Sequence, residues 1–197
     1  MSSTDALASD GPTRRTVVKG AAWAMPAVVV AAPAPTVAAS TGALHFSGAA
    51  CKLPGSATDA YKGYVFELIA SSSGNPTNTV TVITGVTVNG VPEPKFALSV
   101  RSGSCTCSTC GNAPSNHQFC TPSGTNTQRV LLYTAGGASG SSANAELCIT
   151  YMRYGCDCTP LPGVQPATFC SGSRATPPMT GNKGGSCGIQ DVLPLPA

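Results

Sequence analysis

Gly63-Tyr64-Val65-Phe66-Glu67-Leu68-Ile69-Ala70-Ser71-Ser72-Ser73 decides the fold class. Tyr64, Phe66 and Leu68 alternate with Val65, Glu67 and Ile69, and a period of two marks a strand. The turn residues Ser72, Ser73, Gly74, Asn75 and Pro76 end it. Residues 79–89 alternate again, in valine and threonine, which suit a pleated, half-buried surface. Val80, Val82, Val86 and Val88 are expected on one face, with Thr79, Thr81, Ile83 and Thr87 on the other. Gly85 marks a bulge.

The same pattern extends outward. A short strand is expected at 43–48, with Leu44 and Phe46 on one face and His45 on the other. A fourth is expected at 96–101, with Phe96, Leu98 and Val100 inward. A fifth covers 128–133, and a sixth covers 145–154 with Leu147, Ile149 and Tyr151 on one face. Pro92 and Pro94 make residues 90–94 a turn or an edge-strand corner. Short strands separated by turn signals predict an all-β antiparallel sandwich. Residues 102–126 and 155–197 carry no strand pattern. Both are rich in Gly, Pro, Ser and Thr, so burial offsets little of the ~1–2 kcal/mol of backbone entropy per residue. Cross-links are the expected remedy.

Residues 13–39 read as an export leader rather than as part of the fold. Thr13-Arg14-Arg15 and Lys19 form a basic segment, residues 20–32 an uncharged run that is mostly Ala and Val, and Val37-Ala38-Ala39 a small-residue cleavage site. The basic segment resembles the twin-arginine (Tat) pattern, with Val17 and Val18 in place of its Phe-Leu pair. Arg14, Arg15, Lys19, Val37 and Ala39 are the targeting residues, and cleavage is expected before Ser40. Pro26, Pro33 and Pro35 argue against a membrane span, so none is expected after cleavage. Gly48-Ala49-Ala50-Cys51 is a poor lipidation signal, since Gly48 stands where Leu or Val belongs. The expected organisation is a signal peptide at 1–39, a sandwich at 40–154 and a Cys-rich tail at 155–197 packed on it.

Leader and strands together resemble a group of uncharacterised exported proteins of high-G+C Gram-positive bacteria with a Tat-type leader and an immunoglobulin-like sandwich. Tyr64-Val65-Phe66, Thr79-Val80-Thr81-Val82 and Val86-Thr87-Val88-Asn89-Gly90 carry the β part of that resemblance. It implies a location and a fold, and no activity.

Removing residues 1–39 from a chain of 197 leaves 158, with eight Lys/Arg against six Asp/Glu and a net charge of +2. These charges are scattered singly, so no basic patch is available to hold a phosphate backbone and nucleic acid is not an expected partner. All ten cysteines lie beyond the leader: Cys51, Cys105, Cys107, Cys110, Cys120, Cys148, Cys156, Cys158, Cys170 and Cys187. An even number in an exported chain reads as a disulfide framework. If the strands alternate in direction, the loop after strand four and the tail after strand six emerge at one pole. Cys105-Thr106-Cys107 should then come within reach of Cys156-Asp157-Cys158, and bridges between the two clusters are expected, without a full map of the pairs. Closing either Cys-x-Cys on itself would make a strained ring. Cys51 and Cys148, the two nearest to strands, are expected to pair.

The competing chemistry is metal binding. Cys105, Cys107, Cys110, His117 and Cys120 are soft ligands at spacings that Zn or Cu(I) sites use, although an oxidising destination competes for the same thiols. Cys107-Ser108-Thr109-Cys110 has no flanking βαβ pattern to make it a redox pair. Ser139 lacks a nucleophile elbow. His45 and His117 are the only histidines, and the carboxylates Asp59, Glu67, Glu93, Glu146 and Asp157 offer no pair adjacent in sequence. Trp23 leaves with the leader, so sugar stacking would fall to Tyr61 and Tyr154. The resulting expectation is a secreted or cell-surface, non-enzymatic structural or binding protein. It would have no cofactor and an extracellular or cell-envelope partner that the sequence does not identify. A cysteine-ligated Zn or Cu protein is the alternative.

Overall fold

Among the described residues of a computed structural model of the chain, nine strands form, and each of the six predicted stretches supplies one. β1 is Leu44–Lys52, β2 Tyr64–Ala70, β3 Thr79–Val88, β4 Val91–Pro92 and β5 Phe96–Val100. β6 is Gln118–Thr121, β7 Gln128–Thr134, β8 Asn144–Gly155 and β9 Ala167–Ala175. The structure describes residues 43–53, 61–72, 74–103, 105–125, 127–136, 144–162, 166–179 and 187–189. All belong to one unit, Val37–Ala197. Arg14, Arg15, Lys19, Val37 and Ala39, expected as targeting residues, lie outside the described residues, as do Asp59 and Ser139.

Two antiparallel sheets result, in the orders β1-β2-β7-β5 and β4-β3-β8-β9. The outer edge of β3 is covered at one end by β4 and at the other by β6. Asn89 and Gly90 join β3 to β4 with φ of 52° and 77°, the left-handed pair that a two-residue hairpin turn requires. The sheets bury one shared core. Phe66, Leu68, Val130 and Leu132 of the first meet Ile83, Val86, Leu147, Ile149 and Tyr151 of the second. Each such side chain removed from water contributes about 1.5–3 kcal/mol.

The bulge in β3 is real, and it overturns the expected facing of that strand. Ile83 stands opposite Tyr151 and Gly85 opposite Thr150, so Thr84 is the extra residue. One inserted residue reverses which side chains point inward. Ile83, Val86 and Val88 therefore enter the shared core, while Val80 and Val82 turn outward against Cys110. The four valines do not share a face.

The two stretches without strand character also need correction. Residues 118–121 form β6 against β3, and residues 167–175 form β9 against β8. Residues 155–197 therefore supply an edge strand of the second sheet. Beyond it the chain crosses to the first sheet. There the Lys52 N–H donates to Pro177 O at 3.0 Å and the Met179 N–H donates to Lys52 O at 2.9 Å. This strap, with Ile189 and the Cys51–Cys187 bridge, covers an apolar layer on the outer face of the first sheet. Val65, Leu131, Tyr133 and Tyr61 belong to that layer.

Candidate functional site

The chemistry-bearing residues gather at one pole, where the segment between β5 and β6 meets the turn after β8. Cys105 bridges to Cys120, Cys107 to Cys156 and Cys110 to Cys158. The last two tie the 105–110 segment to the 156–158 turn, so neither Cys-x-Cys closes on itself. The remaining bridges are Cys51–Cys187 and Cys148–Cys170. The expected Cys51–Cys148 bridge is absent for a reason of facing. Cys51 stands opposite Val65 on the outer face of the first sheet. Cys148 alternates with the inward Leu147 and Ile149, so it points off the outer face of the second. There it meets its ladder partner Cys170, at a Cα separation of 4.1 Å.

Hydrogen bonds hold the pole in place. Buried Gln118 accepts from the Cys110 N–H at 2.7 Å and donates through Nε2 to Ala113 O at 3.0 Å, which fixes the loop between them. Across the turn after β8, the Gly155 N–H donates to Thr159 O and the Cys158 N–H to Gly155 O. Asp157 Oδ1 accepts from the Thr159 N–H. This last bond, with that of the Thr159 hydroxyl, holds the Asp157 carboxyl below its usual value. Beneath the loops lies a buried polar layer that sequence reasoning missed. Gln128 Nε2 donates to Gly103 O and Cys120 O, and Thr121 Oγ1 donates to Gln128 Oε1. Arg153 Nη2 donates to Ser71 O and to Thr79 Oγ1, both at 3.1 Å. Burial pushes its guanidinium down from the ordinary value, against the opposing influence of Tyr151. The missed signal was parity: Arg153 continues the inward series of Ile149 and Tyr151, and Gln128 that of Val130 and Leu132.

An open cleft of about 200 Å³ lies at this pole, lined by Cys105, Cys107, Ser108, Gln118, Phe119 and Cys120. The Sγ atoms of Cys105, Cys107 and Cys120 all lie within 4.8 Å of one another. They are three of the five ligands named for a soft metal; each is engaged in a disulfide, as is Cys110. His117 does not join them. Its ring stacks on Phe96 at 3.8 Å between centroids, and its Nε2 lies 3.0 Å from Phe96 O. Burial lowers its pKa against the opposing effect of that carbonyl.

The other candidates are dispersed. His45 is exposed on β1. Glu67 pairs with Arg129 on the outer face of the first sheet, and Glu146 lies on the outer face of the second. Glu93 accepts from the Gly136 N–H at 3.1 Å, and burial raises its carboxyl above the ordinary value. Tyr61, expected as an exposed platform, is buried beside Tyr133. Tyr154 is half-buried, with its hydroxyl 3.5 Å from Met152 Sδ. Among the described residues no helix is long and apolar enough to cross a membrane. No family model, curated protein or solved structure matches the chain.

Proposed function

We propose that the chain is exported and acts as a non-enzymatic structural or binding module, secreted or held at the cell surface. One observation carries this reading: all ten cysteines pair, and no free cysteine remains among the described residues. Five disulfides suit an oxidising compartment, in keeping with the Arg14-Arg15 leader. The binding face on this reading is the stapled pole, where Thr106, Ser108 and Thr109 are exposed beside the cleft. A loop held by covalent bonds loses little conformational entropy when a partner docks.

For the fold we propose an immunoglobulin-like sandwich. Supporting it, the orders β1-β2-β7-β5 and β4-β3-β8-β9 correspond to A-B-E-D and C′-C-F-G. β6 is an addition to that plan. The bridge that joins the two sheets in antibody domains has no counterpart, because Cys148 pairs within its own sheet.

The test is fractionation of a Gram-positive host expressing the full chain, followed by sedimentation of the purified mature protein with cell walls. Mature protein outside the cytoplasm, retained by walls through the pole, is the expected result. T106E/T109E should then reduce retention with the fold intact. Protein confined to the cytoplasm would sink the reading. A Cys-ligated metal protein is the second reading, favoured by the three clustered sulfurs. Elemental analysis beside a free-thiol count separates the two: near-stoichiometric Zn or Cu with several free thiols selects the metal.

A further inference from the structure

Two of the five bridges lie against each other. Cys107 Sγ is 3.1 Å from Cys120 Sγ, although Cys107 is bonded to Cys156 and Cys120 to Cys105. All four cysteines are partly exposed, and three of them line the open cleft. The neighbouring Cys110–Cys158 bridge differs, since Cys110 is fully buried. Thiol–disulfide exchange proceeds by attack of a thiolate on a disulfide sulfur, so the access and proximity of that sulfur bear on it directly. At this pole the second disulfide already sits beside the first.

We infer that the Cys105–Cys120 and Cys107–Cys156 bridges form a single thiol–disulfide exchange site, which accepts external thiols and relays the exchange through the Cys107–Cys120 contact. This rests on the sulfur geometry and not on the proposed function. An external thiolate attacks Cys105 Sγ. The Cys105–Cys120 bond breaks, its electron pair leaves on Cys120, and a mixed disulfide forms at Cys105. The Cys120 thiolate attacks Cys107 Sγ beside it, the Cys107–Cys156 bond breaks, and the pair leaves on Cys156, which takes a proton from water. A second external thiolate cleaves the mixed disulfide and leaves Cys105 as a thiol. Two external thiols have become one disulfide, and the protein has gained two electrons and two protons. It now carries thiols at Cys105 and Cys156 and a new Cys107–Cys120 bridge. Entry at Cys156 converges on the same product, because the released Cys107 thiolate attacks Cys120 and expels Cys105. Cys110–Cys158 is untouched, so the 105–110 segment stays tied to the turn after β8.

The test locates the free thiols. The native protein is treated with a limiting amount of glutathione at pH 8, quenched in acid and alkylated, and its cysteines are mapped by fragmentation. Label on Cys105 and Cys156 together, with a Cys107–Cys120 linked peptide, is the expected result. Label on Cys105 with Cys120, or on Cys107 with Cys156, overturns the relay, and so does resistance of all four until the protein unfolds. Two single variants give an independent reading. Cys105→Ser should carry its free thiol on Cys156 rather than Cys120, and Cys156→Ser on Cys105 rather than Cys107. A thiol that stays on the orphaned partner in both overturns the inference.

Discussion

The space between the two sheets and the layers on their outer faces are held by different physics. Between the sheets, Phe66, Leu132, Ile149 and their neighbours exclude water from both sides, with no cysteine among them. On the outer faces, irregular segments cover smaller apolar clusters, and each cover is locked by a disulfide. The 177–179 strap and Cys51–Cys187 cover Val65 and Leu131, while the 105–113 loop and Cys110–Cys158 cover Val80 and Val82. A cover rich in Gly, Ser and Pro gains too little from burial to offset its own ordering. Restricting the unfolded chain makes up the difference. Apolar packing thus accounts for the interior, and covalent closure for the exterior.

Inserting one alanine between Phe66 and Glu67 of β2 breaks that division most completely. The extra residue shifts the parity, so Phe66 and Leu68 no longer share a face and one of them must leave the core. The insertion variant is expected to lose cooperative unfolding in denaturant; an ordinary sharp transition would show that a new bulge absorbs the extra residue. Next in size is the strap. Cys51→Ala with Cys187→Ala opens a bridge spanning 136 residues, worth about 4–5 kcal/mol in the chain-entropy model. Cys148→Ala with Cys170→Ala opens one spanning 22 residues, worth ~3 kcal/mol. Denaturant titration should rank the two pairs in that order, and the reverse ranking would discredit loop length as the cause.

Leu132→Ala probes the interior and should cost about 2–5 kcal/mol. Reductant should lower wild-type stability as the strap variant does, yet leave the Leu132→Ala difference from wild type nearly unchanged. The smallest expected effect is a pH dependence. His117 has a lowered pKa in the folded protein, so near its ordinary value of about 6.5 the unfolded chain binds more protons. The stability contribution is present above that value and is lost as the pH falls below it. His117→Phe keeps a ring for Phe96 to stack on and removes the titration. Its stability should fall less than wild type between pH 7 and pH 5; parallel profiles would rule out His117 as the source.

The six strands readable in advance include those that place several large apolar residues in the shared core, where burial forces them onto alternate positions. β9 lies at a sheet edge and is mostly exposed or half-buried, so Ala167-Thr168-Phe169-Cys170-Ser171 needs no such alternation and shows little. β6 has four residues, and pairing with β3 gives it extended structure. The shared pole followed from counting strand directions, and two bridges join the clusters there. The buried polar layer was legible in principle from the parity of Gln128 and Arg153, since a side chain's face depends on its position whatever its charge.

Local alternation and turn chemistry, properties of neighbouring residues, were enough to read an all-β chain, most of its strands and its dependence on disulfides from the sequence alone. Which cysteine meets which was decided only by tertiary structure. Cys51 and Cys148 both lie in strands, and only the stacking of the sheets shows that they point away from each other. Cys187 reaches Cys51 because the chain after β9 crosses from one sheet to the other, a path that no local pattern encodes. The bulge at Thr84 acts likewise: Gly85 hinted at it, but only the ladder with β8 shows which residue is extra and so which valines are inside. Facing and crossing depend on contacts between residues far apart in the chain, and those contacts exist only once the sheets have packed.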